Sequence, residues 1–309
     1  MREKYKDFPL GWNHIKVPTS SRPAALAGLA MYAACRRRAV WLHRAAWIAV
    51  STFGPAALPG RRHAWESPID PPLWDALAGR WRQALGPFDT AAVYQRKQAG
   101  RQAFMLLLIR AGKPIAFIKH RQGDGSPLRV EASALGAVVR FEPGSFSVCE
   151  PLSQGHVSDW HYLATAALPP RPHRCPASPP ISLILQEIEA ALADLPRPER
   201  RPGHWRPMHG DLTPWNLRRL ADRSLILFDW EAAGWGPPGA NEVLYRATAA
   251  ALGVGPAAPS DAREAIDFWQ DRIHDRPAEG GRDHELAEAL DQVLERMRAA
   301  KPQTTETGS

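Results

Sequence analysis

The stretch "HGDLTPWNL", residues 209–217, sets His209, Asp211 and Asn216 within nine residues. A short polar loop can hold its own turn through Asp and Asn side chains, which accounts for any one of the three but less well for the set. Downstream, "SLILFDWE" (224–231) reads as an apolar strand that ends by presenting Asp229, thirteen residues after Asn216, and Glu231. The intervening "NLRRLADRSLILFDW" folds back as a short hairpin. An Asp and an Asn offered from adjacent loops can share a hard, oxygen-seeking cation such as Mg2+. Asp211 is then left to face a substrate hydroxyl.

Working outward, the chain divides into a sheet-rich half and a helical half. Helical spacing runs through "ISLILQEIEAALADL" (181–195) and through residues 239–252, 261–273 and 284–300. Upstream, "AAVYQRKQ" (91–98), "AFMLLLIR" (103–110) and "IAFIKHR" (115–121) alternate as three strands in meander order. A helix over 128–141 follows, then strand candidates at 145–152 and 160–168, and "PLWDALAGRWRQALG" (72–86) adds a helix before the sheet. The fold class this implies is α+β, with a small antiparallel-sheet N-lobe and a mainly helical C-lobe. Pro-rich residues 169–180 form a hinge or crossover, and Gly and Pro at 54–72 mark a boundary. The expected divisions are a basic, helical N-terminal extension at 1–60, an N-lobe at 74–170, a C-lobe at 171–300 and a flexible tail at 301–309.

Apolar residues make up 44% of the 309-residue chain and charged residues 23%, which is ordinary globular usage. The net charge of +7 is local: residues 1–60 carry nine Lys or Arg against Glu3 and Asp7, whereas residues 261–295 carry eleven acids against four Arg. No zinc-finger, basic-zipper or RNA-binding sheet signature accompanies the basic segment, so nucleic acid is not the expected partner. Cys35, Cys149 and Cys175 lie far apart without a CxxC pair, which reads as a cytoplasmic chain with three small buried hydrophobes. Between residues 23 and 54 the longest uncharged run is 13 residues, too short to span a bilayer. Two readings of that segment stay open: a helix pair packed on the domain, or an interfacial helix with arginines beside Trp41 and Trp47.

"HGDLTPWNL" resembles the catalytic loop of the aminoglycoside phosphotransferase family, and "LILFDWE" resembles that family's metal-binding strand end. The family is a branch of the two-lobed protein-kinase-like fold that includes small-molecule kinases. The resemblance covers about residues 74–300, is strongest over 206–245, and leaves residues 1–60 outside. It implies transfer of the γ-phosphoryl group of ATP, with GTP as another donor, to a hydroxyl of a sugar, an amino alcohol, an aminoglycoside, or a glycan or lipid-linked compound. Asp211 would orient that hydroxyl and accept its proton, and Asn216 and Asp229 would hold Mg2+. His209 would be a structural member of the loop. Glu231 either contacts a metal-bound water or substrate, or is a solvated acid after the strand.

The same resemblance asks for a lysine on the third strand and an acid to hold it. Lys119 ends "PIAFIK", and Glu131 follows twelve residues later near the start of the next helix; such a pair keeps the ammonium charged beside the nucleotide phosphates. The turn "RKQAGRQAF" departs from the kinase pattern by carrying Gly100 alone, with Arg96, Lys97 or Arg101 as substitute positive charge. Asn241 stands near where family members often carry an Asp that steadies the catalytic loop, though no role is carried onto it, and Trp215 and Trp235 are candidates either to wall the acceptor pocket or to be packing residues. The alternative to an enzyme is a kinase-like interaction module without turnover, membrane-associated through residues 23–54.

Overall fold

The computed structural model describes residues 3–9, 14–32, 35, 37–95, 103–256, 261–275 and 282–299. It opens with two short strands, β1 (Tyr5–Phe8) and β2 (Ile15–Pro18), then α1 (Arg22–Ala30), α2 (Arg37–Phe53) and α3 (Pro71–Leu85). β3 (Thr90–Tyr94), β4 (Ala103–Arg110) and β5 (Lys113–Gln122) form the expected meander, followed by α4 (Ser126–Phe141), β6 (Pro151–Val157) and β7 (Trp160–Ala166). All pair antiparallel in one seven-stranded sheet of order β1-β2-β3-β4-β5-β7-β6.

The C-lobe comprises α5 (Ile181–Ala191), β8 (Arg206–Met208), β9 (Leu217–Arg219), β10 (Leu225–Leu227), β11 (Gly234–Gly236), α6 (Ala240–Ala251), α7 (Arg263–His274) and α8 (Arg282–Ala299). β9 and β10 are the antiparallel hairpin read from the sequence, with Leu217 opposite Leu227. An antiparallel-sheet N-lobe followed by a helical C-lobe is the protein-kinase-like architecture.

Three differences from the sequence reading have physical causes. Tyr5–Phe8 and Ile15–Pro18 are strands rather than helix, and β2 extends the main sheet by pairing with β3; strands of four residues are too short to announce themselves by alternation. The strand expected over 145–152 begins instead at Pro151, while Ser147 bridges to Ile226 of the β9–β10 hairpin. The Ser147 N–H donates to the Leu225 carbonyl at 2.8 Å, and the Leu227 N–H donates to the Ser147 carbonyl at 2.9 Å. Cys35 and Cys175, expected as separate buried hydrophobes, are joined by a disulfide across 140 residues. Residues 96–102, which hold the Gly100 turn with Arg96, Lys97 and Arg101, and residues 301–309 lie outside the described residues.

The core explains how the lobes hold one another. Leu128, Leu135 and Val138 of α4 pack with Leu163 of β7, Ile184 and Ile188 of α5, and Leu212, Leu217, Leu227 and Trp230 around the 209–217 loop. α4 therefore belongs to the packing of both lobes, and a residue on its inner face is fixed relative to the β9–β10 hairpin. On the outer face of the sheet, α3 presents Leu77 and Trp81 to Val93, Phe104, Leu106 and Ile118. α1 covers the opposite face, where Ala24 and Ala27 meet Ala92, Leu107 and Ile109, with Met31, Phe117 and Ala167 at the border. Small side chains permit this approach, and a Cβ at Gly28 would lie 2.9 Å from Pro18. Among the described residues, no helix is long and apolar enough to cross a membrane.

Candidate active site

Strand periodicity sets the first group. Ala116, Ile118 and His120 of β5 are buried against α3, so Phe117 and Lys119 face the other side. Across from them Glu131 lies on the inner face of α4, 3% exposed. The Lys119 ammonium donates to both Glu131 carboxylate oxygens, at 2.7 and 2.8 Å, and to Asp229 Oδ1 at 2.6 Å. Residues 119, 131 and 229, spread over the chain, thus meet at one nitrogen. Burial alone would lower the Lys119 ammonium, but Asp229, Glu131 and Glu231 outweigh it and hold it above its ordinary range. Burial pushes the Glu131 carboxyl up, with Lys119 opposing the rise. Such a group is held in place by the completeness of its hydrogen bonds, since removing one partner strands buried charge.

The loop after β8 supplies the second group. Gly210 has φ 79°, and a Cβ there would sit 1.9 Å from the Ala232 carbonyl oxygen, so only glycine lets the loop press against the chain after β10. His209 is fully buried and packs its ring 4.4 Å from Trp230. Its Nε2–H donates to the Phe228 carbonyl at 2.9 Å, and its Nδ1 accepts the Asp211 N–H at 3.1 Å. Burial lowers this imidazole to about 4, against a weaker upward pull from Asp229. A neutral ring with both nitrogens engaged braces the loop and has no proton to exchange at pH 7.

Asn216 donates its amide N–H to the Asp211 carbonyl and to Asp211 Oδ2, both at 2.9 Å. The Phe228 N–H in turn donates to the Asn216 carbonyl at 2.9 Å, tying this loop to the strand end that carries Asp229. Asp229 itself has φ 67°, a left-handed conformation that Asp tolerates better than most residues. Its side chain is 33% exposed, against 14% for Lys119 and 4% for Glu131, so it is the member of the triplet that faces open space.

Lys119, Glu131 and Asp229 are therefore in contact, Asp211 and Asn216 are in contact, and Glu231 acts on Lys119 through its charge. Asn241, to which the sequence assigned no role, accepts the Gly210 N–H on its side-chain oxygen at 3.3 Å. Its place in the first turn of α6 was the available signal. Trp235 is engaged elsewhere: its N–H donates to the Pro196 carbonyl and Arg197 lies over its ring. Trp215 is half-buried in the loop between Asp211 and Asn216.

The two lobes and the charged seam between them define a protein-kinase-like chain. Within that class, residues 131–241 match the phosphotransferase enzyme family, a span that opens on Glu131 and ends on Asn241. This match supports a phosphotransferase in general terms. No curated protein matches the chain. Similar solved structures include a spectinomycin phosphotransferase in complex with ADP and spectinomycin, 13% identical with a TM-score of 0.46, covering 74% of this chain and 97% of that one. An aminoglycoside-3'-phosphotransferase of type VIII is 18% identical with a TM-score of 0.40 over 74% of this chain and 98% of that one. An amicoumacin kinase in complex with AMP-PNP and Ca2+ is 10% identical with a TM-score of 0.44 over 72% and 93%.

Proposed function

We propose that this chain moves the γ-phosphoryl group of ATP to a hydroxyl of a small molecule. The observation that carries the reading is the Lys119 ammonium held between Glu131 and Asp229, a cation kept charged where sheet, α4 and the β10 end converge. Lys119 would take donor phosphate oxygens in exchange for Asp229 Oδ1 while Glu131 keeps it in position. α1 covers the sheet beside Phe117, one pleat from Lys119, so the donor approaches from the side of Asp229. GTP presents the same phosphates to these charges.

Asp211 would line up the acceptor hydroxyl and take its proton, and the Asn216 amide fixes the carboxylate that does so. His209, neutral and doubly bonded, positions the Asp211 backbone. The residues also fit Mg2+: the Asn216 nitrogen is turned to Asp211, which leaves its carbonyl oxygen as a donor, and Asp229 adds a partly exposed carboxylate. No cluster of three or more His, Cys, Asp or Glu suited to a metal occurs among the described residues. Two protein oxygens are what a cation shared with a nucleotide's phosphates requires. When bound, the ion neutralises charge on the transferring group.

The acceptor belongs to the hydroxyl compounds named above, from sugars and amino alcohols to aminoglycosides and glycan or lipid-linked alcohols. The acids of 261–295 give a cationic acceptor little added support, because several are spent locally: Glu264 on His204 and Trp205, Asp267 on Arg298, and Asp291 on Gln270. An ATP-consumption screen over hydroxyl-bearing metabolites and aminoglycosides, with Asp211→Asn as control, tests the reading. Turnover unchanged in that variant rejects it.

A second reading, compatible with the first, rests on α2. Trp41 (70% exposed) and Phe53 (75%) stand with Leu42 and Ile48 on its outer surface beside Arg37, Arg38 and Arg44. Apolar bulk flanked by arginines suits a helix lying at an anionic membrane surface. Flotation with anionic liposomes checks it, and a chain that stays unbound rejects it.

A further inference from the structure

Positive charge that the site does not use gathers in one place. α2, residues 172–174 and the β9–β10 hairpin enclose a cavity of about 260 Å³. Arg44, Arg174, Arg219 and Arg223 line it with His43 and His173, and no carboxylate among the described residues is on its wall. Asp222, the acid of the hairpin turn, is held by the Ser224 N–H and hydroxyl.

Three buried polar atoms of this wall have no hydrogen-bond partner among the described residues: His43 Nε2, His173 Nδ1 and Arg219 Nε. His43 is 2% exposed. Each imidazole spends its other nitrogen on a backbone carbonyl, Leu29 for His43 and Ala30 for His173. Burial holds His43 down at about 4 and His173 at about 3, with Arg218 adding to the effect. At neutral pH each of these nitrogens is therefore an unpartnered lone pair on a residue that lines the cavity with four arginines.

Anionic oxygens satisfy the guanidiniums, and an acidic hydrogen satisfies the imidazoles. We propose that this cavity binds a phosphate monoester, whose anionic oxygens bridge the arginine forks. Its second ionisation falls near pH ~6, so it brings close to two negative charges to the four guanidiniums at neutrality, and the proton that its monoanion retains can be shared with His43 or His173. Sulfate has the same shape without the proton. The monoester can come from a soluble metabolite or from phosphatidic acid in a membrane, since the same helix exposes Trp41 and Phe53.

The test uses the full chain. Glycerol 3-phosphate is titrated calorimetrically against sulfate, and phosphatidylcholine vesicles are compared with and without phosphatidic acid, phosphatidylglycerol serving as the diester control. At least one monoester is expected to bind saturably, about tenfold or more tighter than its control. Arg44→Ala with Arg223→Ala should weaken it about tenfold, and saturating AMP-PNP should leave it unchanged. Both substituted side chains are exposed, and Arg223→Glu in the hairpin turn provides a second variant if the pair lowers the melting temperature. Binding of glycerol 3-phosphate assigns a soluble ligand, and binding of phosphatidic acid vesicles alone assigns a lipid one. Binding of neither, equal binding of the controls, indifference to both variants, or displacement by AMP-PNP overturns the proposal.

Discussion

Lys119 and Arg219 both set cationic side chains into the body of the molecule, but on opposite terms. Lys119 has two carboxylates within 2.8 Å, and every proton of its ammonium is committed. Arg219 shares its cavity with three other arginines and two neutral histidines, and its Nε is left without a partner among the described residues. The first centre is built from charges that cancel, so it is stable while empty and reactive only when a ligand rearranges it. The second is built from charges that do not cancel, and its stability improves when something negative arrives.

Acid should break this comparison with the largest effect. His43, His120, His173 and His209 are lowered by burial to about 4, 3, 3 and 4. The unfolded chain takes up protons at these positions below pH ~6.5, while the folded chain does not until near those lower values. Stability is thus complete above pH ~6.5 and falls as pH drops, by up to about 1.4 kcal/mol per histidine per unit. Urea denaturation at several pH values between neutrality and about 4.5 measures it; a flat profile there contradicts the buried, neutral histidines.

Asp211→Asn sharpens the contrast at the paired centre, because it removes a base without disturbing Lys119. Transfer should fall by about 10²–10⁴-fold with nucleotide affinity retained, as read by single-turnover assays and a binding titration. Glu131→Gln removes half of the cancellation instead. Stability should drop by about 1–3 kcal/mol, since a buried ammonium loses a charged acceptor, and KM for ATP should rise more than kcat falls. An unchanged denaturation midpoint in this variant would show that Asp229 alone holds Lys119. The smallest change is expected from Ser21→Ala. Ser21 caps α1 by accepting the Ala24 N–H at 3.2 Å, and its loss should lower the melting free energy by about 1 kcal/mol without altering transfer.

Much of the fold could be read from local pattern. "AFMLLLIR" is β4 residue for residue, and α4, α5 and the β9–β10 hairpin lie where periodicity placed them. The elements that escaped are those whose partners are remote in sequence. β1 and β2 have four residues each and take their meaning from β3 more than seventy residues on. Ser147 alternates like a strand residue, but its hydrogen bonds go to the hairpin of the other lobe.

The candidate site was more legible than the fold around it. Asp211, Asn216 and Asp229 stand on a loop and hairpin whose spacing is local, and Lys119 and Glu131 on a strand and the helix that follows it. Asn241 was legible only through the resemblance, which puts a loop-steadying residue near it; nothing in "GANEVLY" says which backbone N–H its side chain will meet.

The amino-acid sequence by itself determined which groups are available and in what local order: the polar loop, the apolar strand that delivers Asp229, and the lysine on the third strand of the meander. Tertiary structure alone decided which charges meet their opposites. Lys119 finds an acid 110 residues away, while Arg44, Arg174, Arg219 and Arg223 line one cavity with two histidines and, among the described residues, no acid. The reason is that Coulomb energy and desolvation depend on distance through space and on burial. Neither quantity is a property of spacing along the chain.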